Sequence, residues 1–389
     1  MRKRPLGKTG IEVSELGLGT WGLSGGGYGP VSTDEAERVI LRALSLNIDL
    51  FETADTYGRG AMERMLGKLV PVDTATIVTK IGTDLDATPP QKRFELRYMR
   101  EAFDRSRDRL GRERLDVVLL HNPSMLALGK SETFDFLNEL RRLKALRGWG
   151  VSAGSPEVAR AAIHRGADVI ELVYNVLAAE DLQEVADDVV SHDVGLLARS
   201  VLSHGLLAGR WEKGRTFPEG DHRAERWTAD ELTRRLAQVE AMRPLVTEPE
   251  AIAKPAQAAP GEADGKPAPV SDAKPPAAAD EAKPPAPAIP ATEEAKSALI
   301  SSGAPALRES ESGASAAEAR ARASAIPSLR ALALRFVLAN DAVSCALLGP
   351  RSIEQLDELV RDASASPPFL RDTALAELAT RLRAVGVKL

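Results

Sequence analysis

Residues 50–58 read LFETADTYG, and the fold of the chain can be worked out from this stretch. An apolar pair, Leu50 and Phe51, leads into Glu52, and after a short polar run comes Tyr57 beside a glycine. The apolar start predicts a buried strand. A carboxylate then lies at the end of that strand and a tyrosine on the loop beyond it. Because functional residues are concentrated on such loops, the stretch predicts a site as well as a strand.

Segments of the same kind recur along the chain and alternate with helical patterns. Eight short apolar runs predict buried strands at residues 16–20, 49–54, 76–80, 117–121, 148–153, 169–175, 194–200 and 345–349. Amphipathic periodicity predicts helices at residues 33–46, 61–69, 97–110, 131–147, 155–165, 180–192, 230–243, 329–339, 353–362 and 372–385. Eight alternating units predict an α/β fold, a (β/α)8 TIM barrel, and a doubly wound open sheet is the alternative. Residues 4–11 predict a short N-terminal hairpin that plugs the barrel bottom.

Composition excludes several classes of protein. The chain has 389 residues, 43% of them hydrophobic and 28% charged, which supports a large core, and a net charge of −5 gives no sign of a nucleic-acid partner. Pro5 and Gly7 follow the basic start in place of an apolar run, so no signal peptide is predicted. No stretch approaches the roughly 18 apolar residues of a membrane span. A single cysteine, Cys345, argues against disulfides and multi-cysteine zinc sites. We expect a cytoplasmic enzyme without a metal.

Residues 247–327 differ from the rest of the chain. They contain no aromatic residue and 13 of the 25 prolines, and Ala, Pro, Glu and Lys cannot bury enough apolar area to offset chain entropy. We therefore predict a disordered insert before the last βα unit, within a barrel formed by residues 1–246 and 328–389. The insert is interpreted as a tolerated surface insertion, and an arm that contacts a protein partner is the alternative.

Residues 17–22 match the dinucleotide-binding pattern G-x-G-x-x-G. In a Rossmann fold the third glycine opens the helix that holds the pyrophosphate. Here residues 25–30 intervene with the sequence GGGYGP, and the helical pattern begins only at residues 32–34. The stretch is therefore interpreted as a flexible first βα loop.

Four polar residues follow three consecutive predicted strands, where the active site of a barrel lies: Glu52, Tyr57, Lys80 and His121. Each alone has a structural explanation, such as a hydrogen-bonded spacer, a lysine at a strand end or loop packing. Together at one barrel mouth they favour proton delivery to a carbonyl group. A tyrosine has a pKa of about 10, and an ammonium group within hydrogen-bonding distance lowers it. Reduction of a carbonyl group by such general acid catalysis also requires a hydride donor.

These residues lie in a series of motifs that occur in a specific order. The motifs are RPLGKTGIEVSELGLGTWG, NIDLFETADTYG, IVTK, LDVVLLHNP, GWGVSAG, VYN, LSHGLLAG and LLGPRSIEQLDEL. In their order and spacing the sequence resembles the aldo-keto reductase family over nearly all of the chain outside the insert. The resemblance implies a (β/α)8 barrel that reduces a small aldehyde or ketone with NADPH.

The resemblance also implies residue roles. Tyr57 would be the proton donor, Lys80 its activator, held by Glu52, and His121 the residue that orients the carbonyl group. Trp21 would line the substrate pocket, whose other walls come from loops such as 122–130 and 201–227. The implied cofactor-binding residues are Gly19, Thr20, Ser152, Glu171, Arg199, Leu202, Gly349, Arg351, Ser352 and Gln355. The last three would meet the 2′-phosphate of NADP, because GPRS leads into a helix N-terminus, which attracts phosphate.

Five positions depart from the family pattern. Glu52 replaces an aspartate, and changes near the nicotinamide and the adenine give Ala153, Glu171, Arg199 and Leu359. Glu171 and Arg199 carry opposite charges on adjacent predicted strands, so we predict an ion pair within about 4 Å. The alternative is two independent changes at the solvent-exposed rim of the barrel. The departures leave open a non-catalytic barrel that binds NADP, or works through partners.

Overall fold

The structure is a computed structural model that describes residues 1–129, 131–247, 325–364 and 369–388. The predicted insert, residues 247–327, lies outside the described residues except at its two ends. None of the described helices combines the length and the hydropathy needed to cross a bilayer.

Eight parallel strands close into a barrel, which confirms the predicted fold and excludes the open sheet. In barrel order they are β3 (Leu16–Gly19), β4 (Leu50–Glu52), β5 (Thr76–Ile81), β8 (Leu115–His121), β9 (Leu146–Ser152), β10 (Val169–Val173), β11 (Gly195–Arg199) and β12 (Cys345–Leu348). The ring closes where β12 pairs with β3. Because all strands run in the same direction, their last residues meet at one mouth.

A hairpin closes the opposite end, as predicted. β1 (Lys3–Pro5) pairs with β2 (Glu12–Ser14) in antiparallel register. Leu6, Ile11 and Val13 are almost completely buried and pack against inward-facing residues such as Val78 and Val117. The barrel bottom is therefore filled with apolar side chains, and only the mouth is available for chemistry.

Helices surround the barrel. Most bury one apolar face, whereas nearly every residue of the helix Leu329–Leu338 is buried. They are α1 (Thr33–Ser45), α2 (Ala61–Leu69), α3 (Leu96–Leu110), α4 (Met125–Leu128), α5 (Ser131–Arg142), α6 (Pro156–His164), α7 (Glu180–Ser191), α8 (Ala229–Met242), α9 (Leu329–Leu338), α10 (Ile353–Ala363) and α11 (Asp372–Ala384). The loops contain a small hairpin, β6 (Thr83–Asp84) with β7 (Gln91–Lys92), and 3-10 turns at Trp21–Ser24, Ser203–Ala208 and Arg243–Leu245. The sequence patterns did not predict these short elements.

The largest shift of a predicted boundary is at the end of one helix, and the structure also describes the base of the insert. The helix predicted at residues 131–147 ends at Arg142, because the chain reverses at Lys144, with φ of 61°, and Leu146 pairs with Leu115 on the neighbouring strand. At the base of the insert, the backbone N–H and the side chain of Thr247 donate to the Ile326 carbonyl at 2.9 and 3.1 Å, and Ile326 is buried. The two ends of the predicted insert are thus hydrogen-bonded to each other.

Candidate active site

The four residues predicted to carry the chemistry meet at the barrel mouth. Strands β4, β5 and β8 end in or near Glu52, Lys80 and His121, and Tyr57 lies on the loop after β4. All four line one cavity of about 760 Å³, and Trp21 forms part of its wall. The cavity therefore brings together four residues that span 69 positions of the chain, from 52 to 121.

Lys80 forms the predicted ion pair with Glu52. Its ammonium group contacts Glu52 Oε1, and the two side chains are only 2% and 7% exposed. Gly19 lies against the same carboxylate, since a Cβ at that position would be 2.9 Å from Glu52 Oε2. Burial lowers the pKa of Lys80 to about 8, and the charge of Glu171 opposes this shift. The lysine can thus change its charge near neutral pH.

Tyr57 has a different partner from the one predicted. Its hydroxyl donates to Glu52 Oε1 at 3.3 Å, and Lys80 Nζ lies 5.0 Å from the centre of the ring. Within the described residues no hydrogen bond joins Lys80 to the hydroxyl group. Burial raises the pKa of Tyr57 above its usual value, and the charge of Glu171 raises it further. The predicted lowering of this pKa is therefore wrong here, because burial and the charge of Glu171 both act against it.

His121 is a neutral hydrogen-bonding group. Burial lowers the pKa of the imidazole well below its usual value, and the positive charge of Lys80 adds to the effect. Its ring is 6.2 Å from the ring of Tyr57, at an interplanar angle of 85°. Its buried Nδ1 atom has no hydrogen-bond partner among the described residues. A neutral imidazole beside a tyrosine is suited to donating one hydrogen bond to a carbonyl oxygen.

The ion pair predicted between Glu171 and Arg199 is confirmed. Arg199 Nε is 3.6 Å from Glu171 Oε1, and β10 and β11 are adjacent. Ser152 Oγ donates to the same oxygen at 2.9 Å, and Arg199 Nη2 donates to the Ala153 carbonyl at 3.2 Å. The other oxygen of Glu171 lies 3.5 Å from Lys80 Nζ. Lys80 therefore contacts two carboxylates. Its contact with Glu171 was not predicted, because the strands of these two residues are not adjacent.

The predicted phosphate end lies at the start of α10. Ser352 Oγ accepts from the Gln355 backbone N–H at 3.3 Å, and Gln355 Oε1 accepts from the Arg351 backbone N–H at 2.9 Å. Arg351 Nη2 donates to the carbonyls of Gly29 and Pro30 at 3.0 Å. Gly349 leaves open space where a Cβ would stand. Of the predicted cofactor residues, all line the cavity except Thr20 and Ser352.

The residues of this cavity fit a nicotinamide dinucleotide. Six arginines line it, namely Arg199, Arg210, Arg223, Arg226, Arg330 and Arg351. Arg351 Nε is buried and lacks a hydrogen-bond partner among the described residues. Guanidinium groups and a helix N-terminus both attract phosphate oxygens. No cluster of three or more His, Cys, Asp or Glu placed to hold a metal ion occurs in the described ranges.

The model of the aldo/keto reductase family matches residues 15–367. The chain belongs to this family. The Bacillus subtilis (strain 168) aldo-keto reductase YhdN is 29% identical over 230 residues, which cover 57% of this chain and 68% of that protein. Pyridoxal 4-dehydrogenase of Microbacterium luteolum is 27% identical over 264 residues, 57% of this chain and 77% of that protein. Family membership indicates an oxidoreductase.

Solved structures agree with the fold. The glycerol dehydrogenase AKR11B4 of Gluconobacter oxydans superposes with a TM-score of 0.69 at 21% identity, covering 100% of this chain and 97% of that one. The holo form of aldo-keto reductase AKR11C1 from Bacillus halodurans gives a TM-score of 0.65 at 20% identity, with coverage of 99% and 96%. At these identities the likeness shows the barrel and nothing finer.

Sequence reasoning missed an aromatic and basic wall above the site. Trp21, Tyr28 and His222 pack with ring centres 4.7 to 5.1 Å apart, and His204 lies 5.1 Å from His222. Loop 201–227 was predicted to form pocket wall, but no periodicity shows which of its side chains face inward. The density of Arg, His and Trp in residues 211–227 was the available signal.

Proposed function

We propose that the protein reduces an aldehyde or ketone to an alcohol with a hydride from NADPH and a proton from Tyr57. The observation that supports this most is the convergence of Glu52, Tyr57, Lys80 and His121 in one cavity whose far end is cationic. The carbonyl carbon would receive the hydride and its oxygen the proton, so the carbonyl is reduced and NADPH is oxidised to NADP⁺.

Each residue of the mouth has a role in this proposal. His121 donates a hydrogen bond to the carbonyl oxygen, and Tyr57 holds the proton that the oxygen receives. The oxygen replaces Glu52 as acceptor of the Tyr57 hydroxyl. Lys80 then stabilises the phenolate, with Glu52 and Glu171 fixing its position through the contacts described above.

The cofactor would lie between the two ends of the cavity. When bound, NADPH supplies the hydride from its reduced nicotinamide ring. The residues that would hold the nicotinamide end are Gly19, Thr20, Ser152, Glu171, Arg199 and Leu202. Gly349, Arg351, Ser352 and Gln355 would hold the phosphate of the adenosine end, since Arg351 adds donors to the N-terminus of α10.

A non-catalytic barrel is the second candidate, and one contact favours it. The Tyr57 hydroxyl donates to Glu52 Oε1 at 3.3 Å, so the proposed acid already has a carboxylate as acceptor before substrate binds. In this reading the cavity binds NADP without efficient turnover.

The two candidates are separated by titrating the protein with NADPH, followed by fluorescence, and then surveying aldehydes and quinones for NADPH oxidation. Binding with turnover supports the reductase. Saturable binding without oxidation of NADPH by any carbonyl compound supports the non-catalytic barrel. Absence of NADPH binding contradicts both.

A further inference from the structure

Arg226 lies on a turn that lines the same cavity as the predicted catalytic residues. The carboxylate of Asp221 accepts from the Arg223 backbone N–H at 3.0 Å and from the Arg223 guanidinium, which packs over the rings of Tyr28 and Phe217. The backbone N–H of Arg226 then donates to the Arg223 carbonyl at 3.3 Å. Residue 226 thus belongs to a hydrogen-bonded turn, and its side chain lines the cavity.

Arg226 differs from the other cavity arginines in its partners. Arg199, Arg210, Arg223 and Arg330 each form an ion pair with a carboxylate. Arg351 donates instead to two backbone carbonyls. For Arg226 no ion pair with a carboxylate occurs in the described part of the chain, and its one described side-chain hydrogen bond, Nε to His222 Nδ1, is long at 3.5 Å. Its guanidinium therefore keeps donors available.

The surroundings of Arg226 do not neutralise it. Burial lowers the pKa of His204 to about 3 and that of His222 to about 4, so both imidazoles are neutral near pH 7. Burial raises the pKa of Tyr28 to about 12, which keeps the phenol neutral as well. Burial lowers the pKa of Arg226, and the positive charge of Arg199 lowers it further. A neutral aromatic wall with one uncompensated guanidinium attracts an anion.

We propose that Arg226 forms an anion-binding subsite at the substrate end of the cavity, so that the preferred substrates are small carbonyl compounds bearing a carboxylate or a phosphate. This inference rests on the proposed reductase function. The contact of Arg226 with His222, which packs on Trp21, places the subsite at the wall predicted for substrate. Arg351 and the N-terminus of α10 remain for the phosphates of the cofactor.

The test compares matched pairs of carbonyl compounds that differ in one anionic group. Succinic semialdehyde is compared with butanal, and glyceraldehyde 3-phosphate with glyceraldehyde, which distinguishes a carboxylate from a phosphate. In the parent we expect kcat/KM to be about 10- to 100-fold higher for at least one anionic member, the usual range for hydrogen bonds to charged groups. Arg226→Ala should abolish that preference and leave NADPH affinity unchanged.

Arg215→Ala is the matched control. Arg215 lies on the same loop, packs on the Phe217 ring at 5.6 Å and is not part of the cavity lining. This variant should keep the preference for the anionic substrate. The proposal is overturned if the parent reduces carbonyl compounds without this preference, if Arg226→Ala retains it, or if Arg226→Ala weakens NADPH and anionic substrate by the same factor.

A second readout separates this proposal from the proposed function. Succinate and inorganic phosphate are titrated calorimetrically into the parent and both variants, saturated with NADPH. Binding of either anion that is lost in Arg226→Ala and retained in Arg215→Ala supports the subsite even if no carbonyl compound is reduced. Absence of binding in the parent, or equal binding in Arg226→Ala, contradicts the subsite whatever the turnover.

Discussion

The two ends of the cavity differ in how their polar groups are held. At the phosphate end, Arg351, Ser352 and Gln355 bond to one another within five residues of chain. At the catalytic end, four charged side chains come from β4, β5, β10 and β11 and meet only because the barrel closes. A contact between neighbours in sequence can be predicted from a motif. A cluster assembled from four strands depends on side-chain lengths and on what lies opposite.

The largest expected effect is a loss of turnover at the catalytic end with no change in cofactor binding. Tyr57→Phe removes the proposed acid, and general acid catalysis contributes about 10²- to 10⁴-fold, so kcat should fall within that range. NADPH affinity should not change, since Tyr57 is not among the residues proposed to bind the cofactor. Steady-state rates and fluorescence titration measure the two quantities. Undiminished turnover in this variant would refute Tyr57 as the acid.

At the phosphate end of the cavity, a substitution should weaken cofactor binding and leave kcat unchanged. Arg351→Ala removes a guanidinium proposed to meet the 2′-phosphate, so NADPH affinity should fall by about 10- to 100-fold. NADH, which lacks that phosphate, should be affected much less, and kcat at saturating NADPH should be retained. If both cofactors weaken equally, the effect comes from the lost contacts with Gly29 and Pro30 and not from the phosphate.

Shortening the carboxylate tests the departure at Glu52. Glu52→Asp removes one methylene, which withdraws the oxygen that now accepts from Tyr57 and frees Lys80 to approach the hydroxyl group. Turnover should rise, by up to roughly 10-fold, because a displacement of about 1 Å at such a site has effects of this order or larger. A slower Glu52→Asp variant would mean that the pocket is built around glutamate.

The pH profile of the parent tests the lowered pKa of Lys80, the partner of Glu52. Reduction by the parent should decline as pH rises through about 8, where Lys80 loses its proton, while Tyr57, whose pKa is raised, stays protonated. Glu52→Gln is the control of equal length, and it leaves Lys80 with Glu171 as its remaining carboxylate. A decline that begins only above pH 10 in the parent would contradict the lowered pKa of the lysine.

How far the sequence predicts this molecule depends on the range of each contact. The strand ends were predictable to within two residues, because the apolar runs predicted at 49–54, 76–80 and 117–121 stop close to Glu52, Ile81 and His121. The Glu171–Arg199 pair was predictable from opposite charges on neighbouring strands. Which atom of Glu52 reaches Tyr57 was not, because it depends on a carboxylate placed between two groups. Arg226 was also beyond reach, since a loop without periodicity does not show which side chains face the cavity.

The smallest expected effect concerns the charge beside the nicotinamide, which is cationic when oxidised and neutral when reduced. Arg199 should disfavour NADP⁺ relative to NADPH, and Glu171 should favour it. Because the two groups lie 3.6 Å apart, their fields largely cancel, and the net preference should be only about 2- to 5-fold in Kd. Arg199→Gln should lower the preference for NADPH, and Glu171→Gln should raise it. The double variant should return close to the parent. Shifts in the same direction would show that the pair acts on the cofactor through shape and not through charge.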